Sequence, residues 1–504
     1  MAKKEVLLSS EASEKTRSFP SERRQYNVPR TFYLTTTLPY VNAAPHVGFA
    51  LELVHADILA RRRALAGDDV FFNTGTDEHG LKIHRKALEE GKDPQAYVDE
   101  YAAKFRELKD KLNLFPELHF IRTTDPHHKA AAQELWRRSE AKGDIYKKKY
   151  QGLYCVGDEA FIKESDLVDG KCPNHPTMAP LQIEEENYFF KLSAYQDYLQ
   201  EYLSTPGSIV PEWRREEALR FVERGLEDFS ISRVKEKMPW GVPVPGDDTQ
   251  VMYVWFDALT NYISTLGWPE DEQGLYKKYW EEGDTLQLAG KDQVRFQSVM
   301  WQAMLRSAGL PATKQVLYHG FITSGGQKMS KSLGNVIDPL QLIDAYGTDA
   351  LRYFLARHIS SFEDSDFTVE RFKAAYNADL ANGLGNLTAR IMQLAQTHLG
   401  KPVVGEKPAL PTDYVQALER FEFSRALEFV WERITLLDEQ ITDTQPFKVV
   451  KENPEEGKEL ITALVKELAG IVSMLEPILP HTCERIQESI ALNKKPETLF
   501  PRKD

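Results

Sequence analysis

Between residues 31 and 72 the apolar and polar positions spell three elements in succession. Residues 31–37 are rich in β-branched and aromatic side chains and read as a strand. After residues 38–45, Leu51, Val54, Ile58 and Leu65 keep one helical face apolar; Gly67 closes that helix, and Val70-Phe71-Phe72 reads as the next strand. In such a strand–helix–strand unit a ligand lies beyond the carboxyl ends of the strands, where helix N-terminal N–H groups face anionic phosphate. His46 and Gly48 stand at that helix start.

Farther along, the period changes. Residues 144–229 break into short strand-like pieces with turn signals such as Asp169-Gly170 and paired Cys and His positions, and read as an insertion. Residues 228–233 start a second α/β half that contains Gly290-Lys291-Asp292 and a strand-like run at 316–320. From about residue 376 the pattern is all helical: Phe423, Leu427, Val430, Ile434, Leu437 and Ile441 step by four and three, as do Leu464, Leu468, Ile471 and Leu475 ahead of Pro477. The expected division is a polar, disordered extension (1–30), the first α/β half (31–143), an insertion (144–229), the second half (230–325), a basic loop with a linking region (326–375) and a helical domain (376–504).

Composition narrows the class. With 504 residues, 42% hydrophobic and 11% aromatic, the chain can build several large cores. No membrane span is visible. Cys155, Cys172 and Cys483 are too few for a disulfide framework, which favours a reducing, cytoplasmic setting. A net charge of −13 argues against indiscriminate coating of nucleic acid. Arg61-Arg62-Arg63 and Lys147-Lys148-Lys149 are candidate local basic strips, or simply solvated faces. Residues 1–30 carry seven Lys/Arg but also Glu5, Glu11, Glu14 and Glu22, which fit a disordered tail better than an organellar presequence. No further domain is expected after the bundle, so the chain is expected to be a monomer.

The pentapeptide Lys328-Met329-Ser330-Lys331-Ser332, just after Gly325-Gly326, sets two ammonium groups among small hydroxyl residues on a loop free to close. That chemistry suits a triphosphate. Together with His46-x-Gly48-x it resembles the class I aminoacyl-tRNA synthetases. Residues 154–161, 186–190 and 251–262 are similar to methionyl-tRNA synthetases in particular, and the resemblance runs from about residue 31 into the C-terminal region.

The resemblance implies a split Rossmann-like α/β catalytic domain with a connective insertion, followed by an all-α anticodon-binding bundle. It implies ATP-dependent activation of methionine to methionyl-adenylate and transfer to initiator and elongator methionine tRNA, with Mg²⁺ on the phosphates. His46, Lys328 and Lys331 would be catalytic, and Gly48, Gly290, Asp292 and Ser330 would join them in binding ATP. Asp77 would hold the substrate ammonium, unless it only caps a helix. Leu38, Tyr40, Trp255, Ala258, Tyr262, Gln293 and Gln297 occupy pocket positions, and aromatic walls suit a polarizable thioether. Asn386 and Arg390, one turn apart, would read anticodon bases, and Phe447 would stack where a tryptophan is common. Cys155, Asp158, Cys172 and His175 have the spacing of a small zinc site; a vestigial knuckle that folds without metal is the alternative.

Several residues depart from the family pattern. Phe49 stands where a second histidine is frequent, Gln293 where an aliphatic residue is, Gln297 where a histidine is, and Asp158 where a cysteine often lies. Two competing readings follow: a class I synthetase for another amino acid, and a catalytically impaired tRNA-binding paralogue. A nucleotidylyltransferase of the pantetheine-phosphate type is too short to account for residues 144–229 and 376–504.

Overall fold

The computed structural model describes residues 29–504 apart from 158, 159, 163, 174, 330–333, 406 and 407. Asp158, Ser330 and Lys331, and the side chain of Lys328, therefore lie outside the described residues, as does most of the expected N-terminal extension.

Strands β1 (Thr31–Thr35), β2 (Asp69–Thr76) and β3 (His119–Arg122) form one half of a six-stranded parallel sheet. The other half consists of strands Asp284–Gly290, Gln315–His319 and Ile209–Val210, joined to the first by β1 pairing with Asp284–Gly290. Successive side chains of a strand point to opposite faces. Phe32, Leu34, Phe72, Leu286 and Leu317 thus enter one core, and Tyr33, Phe71, Val316 and Tyr318 enter another.

One expected boundary moves. Strand Ile209–Val210 lies inside the stretch 144–229 yet pairs in parallel with Gln315–His319, so the sheet resumes before residue 230. A two-residue strand is too short to impress a period on the sequence. Within residues 144–190, Ile145–Tyr154 pairs antiparallel with Leu181–Phe190, and Phe189 and Phe190 pair in turn with Ser230 and Phe229.

Helix α1 (Val47–Leu65) is buried nearly all round, because the sheet covers one side and the helical region the other. Its last apolar position is a correction: Leu65 is 45% exposed, since the helix runs out past its neighbours before Gly67 turns the chain at φ 90°. Its buried polar residues Glu52, His55 and Asp57 are each hydrogen-bonded. Asp57 accepts from the Phe115 N–H at 2.5 Å, from Arg61 at 2.8 Å and from the fully buried Arg352 at 2.6 Å. Arg352 also donates to the carbonyls of Leu112, Pro477 and Ile478, tying α1 to the helical region.

Helices start at Pro339–Tyr346, ahead of residue 376. In Phe423–Thr444 and Pro454–Leu475 the positions that carried the helical period are all buried. The C-terminal segment returns to this bundle: the Tyr376 hydroxyl donates to the Pro501 carbonyl at 2.8 Å.

Candidate active site

A cleft of about 850 Å³ opens at the carboxyl ends of the sheet strands. Its floor is the start of α1. His46 caps that helix by accepting the Gly48 N–H on Nδ1 at 3.1 Å, which leaves Nε2 to carry the proton of the neutral ring. Part of the ring meets open solvent, yet the surrounding protein still desolvates it and lowers its pKa. A Cβ at position 48 would stand 3.0 Å from that imidazole and 3.6 Å from the Met329 methyl, so glycine keeps both side chains in place. Met329, 281 positions after Gly48 in the chain, brings the basic pentapeptide to the helix start.

Each residue of the segment after β2 has a separate job. The Asp77 backbone is clasped between Pro39 and Val41, which turns its side chain into the cleft; the helix that follows starts at Gly80, so Asp77 is not its cap. Glu78 turns the other way and accepts two hydrogen bonds from Arg122, at 2.7 and 2.9 Å. His79 donates to Asp257 at 2.6 Å, and His128 donates to the other oxygen of Asp257 at 2.8 Å. Burial alone would raise the Asp257 pKa; the two imidazoles outweigh it and hold the carboxyl at about 2. This bridge locks the first half of the domain to the helix Val254–Ala258 from the second.

That helix supplies the cleft's aromatic wall. Trp255 stacks on Phe296 with ring centroids 3.8 Å apart and planes 16° from parallel. Leu38, Tyr40, Ala258, Tyr262, Gly290, Asp292 and Gln293 line the same cleft, so these expected residues converge on one space. Gln297 does not reach it. It is buried behind Tyr262 and donates to the Tyr262 hydroxyl, so it can act on a ligand only through that ring. Phe49 faces the cleft and packs edge-on against Phe105 at 5.3 Å, where a second histidine would have offered an N–H.

These features coincide with what comparison finds. The class I tRNA synthetase (M) family matches residues 32–179 and 176–392. The methionine–tRNA ligase of Synechocystis sp. is 42% identical over 91% of this chain and 89% of its own. That of Caldanaerobacter subterraneus subsp. tengcongensis is 38% identical over 94% and 79%. The chain belongs to the class I methionyl-tRNA synthetases. The methionyl-tRNA synthetase of Mycobacterium tuberculosis, solved in complex with methionyl-adenylate, superposes with a TM-score of 0.84 at 36% identity, covering 94% of this chain and 99% of that one.

For a methionyl-tRNA synthetase the cleft holds one pair that sequence reading missed. Glu52, on the floor helix, accepts from the Thr37 N–H at 2.5 Å, from the Thr37 hydroxyl at 2.6 Å and from His319 Nε2 at 2.8 Å. Its signal was present, as a carboxylate on the buried side of an apolar helix. A histidine at the carboxyl end of a central strand was the other half.

The remaining expected residues are distributed as follows. Cys155, Cys172 and His175 bring their ligand atoms within 4.8 Å of one another in the insertion, and no disulfide links the cysteines. Asn386 is exposed at the start of helix Asn386–His398, Arg390 forms an ion pair with Asp438, and Phe447 is 41% exposed at the start of Pro446–Glu452. Within the two basic runs, Arg61 pairs with Asp57, Arg63 with Asp68 and Lys147 with Asp247. No helix among the described residues is long and apolar enough to cross a membrane.

Proposed function

We propose that the chain is a methionine–tRNA ligase that makes methionyl-adenylate from methionine and ATP and passes methionine to initiator and elongator methionine tRNA. The observation that carries this reading is the convergence, in one cleft, of the capping His46, the carboxylate of Asp77 and the Trp255–Phe296 wall. A relative solved with methionyl-adenylate shares 36% identity over 94% of the chain, which supports the same ligand in the same place.

In the first step a methionine carboxylate oxygen bonds to the α-phosphorus of ATP and the α–β bridging bond breaks. Pyrophosphate leaves with the electron pair. Little covalent work falls to the protein, so positioning and preorganised donors supply the acceleration. Asp77 holds the ammonium, Trp255 and Tyr262 flank the thioether, and His46 offers its Nε2–H to phosphate oxygens. Gly290 and Asp292 meet the ribose, with Asp292 accepting from its hydroxyls. Lys328 and Lys331 neutralise charge on the departing pyrophosphate, and Mg²⁺, when bound, would supply further positive charge. In the second step a terminal ribose hydroxyl oxygen bonds to the methionyl carbonyl carbon; AMP leaves and takes up the hydroxyl proton.

Cys155, Cys172 and His175 suit zinc by donor type and spacing, and would hold it as a structural ion in the insertion. The crowding supports a built knuckle: a Cβ on Gly157 would lie 2.4 Å from the His175 ring. Asn386, Arg390 and Phe447 are assigned to anticodon reading, and a cytoplasmic monomer fits the chain. Charging of methionine tRNA with labelled methionine tests the function. Methionyl ester at the tRNA 3′ end, stable in acid and released by mild alkali, is expected; binding of tRNA without ester formation would contradict it.

A further inference from the structure

Beside the catalytic cleft lies a second cavity, of about 450 Å³, and the two share the wall formed by Val294 and Arg295. Its other side is the helix Glu212–Glu223, which presents Trp213, Arg220 and Phe221, with Arg224 at its end. Trp213 is 46% exposed. It meets Phe362 edge-to-face, with ring centroids 6.0 Å apart and an interplanar angle of 85°, a contact that helps hold the indole. The Arg295 guanidinium sits over the Phe221 ring at 4.7 Å.

This charge is local. The chain as a whole carries −13, yet three arginines line this one groove. The acid beside them, Glu217, is already engaged by Arg214, and Arg220 reaches Glu216 only at 3.2 Å on an exposed surface. A positive groove with an exposed aromatic ring is what a single nucleic-acid strand requires: arginines follow phosphates, and a ring accepts a base whatever its identity.

We propose that this groove receives the single-stranded 3′ end of tRNA. Arg220, Arg224 and Arg295 run along its phosphates, a base stacks on Trp213, and the shared wall at Arg295 delivers the terminal ribose to the cleft. The proposal rests on the ligase reading and names where that reaction's second substrate enters.

The test separates the two steps of the reaction in the full chain. Trp213→Ala and the Arg220→Glu/Arg224→Glu double variant should keep methionine-dependent ATP–pyrophosphate exchange within about twofold, because none of these side chains lines the cleft. Their kcat/KM for tRNA charging should fall about 10- to 100-fold through KM, and Trp213→Phe should recover most of it. A second arm uses tRNA trimmed of its unpaired 3′ nucleotides. Wild type should bind intact tRNA more tightly than trimmed tRNA, and the variants should bind the two alike. Variants that charge tRNA normally, or that still favour intact tRNA as wild type does, would overturn the groove. Absence of methionine-dependent exchange in the wild type would instead overturn the ligase reading.

Discussion

His319 donates one ring N–H to Glu52 at 2.8 Å and the other to the Gly320 carbonyl at 2.7 Å, which makes the two residues a buried imidazolium–carboxylate pair. Glu52 belongs to the helix that His46 caps, and His319 ends the strand that leads into the basic loop, so the pair joins both phosphate-facing motifs. Burial by itself would lower the His319 pKa; the Glu52 bond and charge, the Gly320 carbonyl and Asp292 outweigh it, and the net displacement is upward. A histidine whose folded pKa is raised contributes stability that is complete below its unfolded value of about 6.5 and is lost as pH rises through the folded value. His319→Gln should therefore be destabilised most, by about 3 kcal/mol, below pH 6.5. The gap to wild type in urea unfolding should narrow at alkaline pH. A gap that widens with pH would count against the pair.

His55 has the opposite sense. It donates to the Leu355 carbonyl at 3.1 Å, and its ring lies 4.4 Å from Phe423 at the junction of α1 with the helical region. Desolvation is the main cause that holds its pKa near 3, with the Leu355 carbonyl opposing and His319 adding to the fall. As pH drops below about 6.5 the unfolded chain takes up a proton that the folded chain refuses, so stability falls by up to about 1.4 kcal/mol per pH unit. His55→Phe removes that titration. Between pH 7 and pH 5 its urea midpoint should drop less than that of wild type; equal drops would exclude this source of acid sensitivity.

Asp77 faces the cleft, while its neighbours Glu78 and His79 are spent on Arg122 and Asp257. Of the three, Asp77 is the one that lines the cleft. Asp77→Asn should raise KM for methionine about 10- to 100-fold in pyrophosphate exchange, the value of one charge-assisted hydrogen bond, with little change in KM for ATP. An equal rise for both substrates would mean the substitution deforms the cleft as a whole.

Zinc in the insertion is checked by elemental analysis of protein purified without chelators. About one zinc per chain is expected, and Cys172→Ser should lose it along with the protection of Cys155 from thiol reagents. Metal content below about 0.2 per chain would identify the cluster as a knuckle that folds without an ion.

Much of this architecture was legible in the sequence because local patterns encode it. The step from a β-branched and aromatic run in residues 31–35 to the helical period after Val47 located the unit that positions His46, and the bundle helices announced themselves by their spacing. Eleven of the expected ligand-facing residues line the one cleft, yet Gln297, matched by position alone, lies behind Tyr262. What could not be read was pairing across the chain. Glu52 and His319 are 267 residues apart, and Asp57 and Arg352 are 295 apart. Nothing local to any of them names its partner. Strand Ile209–Val210 escaped for another reason: its place in the sheet is set by its neighbour Gln315–His319, not by a pattern of its own.

The central claim is that the Asp77 carboxylate and the Trp255–Phe296 wall select methionine for adenylation. ATP–pyrophosphate exchange, run with the wild-type protein and each of the twenty amino acids in turn, tests it most directly. Methionine should drive exchange at least about 100-fold more efficiently than any other, the discrimination that a shaped apolar pocket with one charged anchor can supply. Preference for a different amino acid, or no exchange with any, would contradict it.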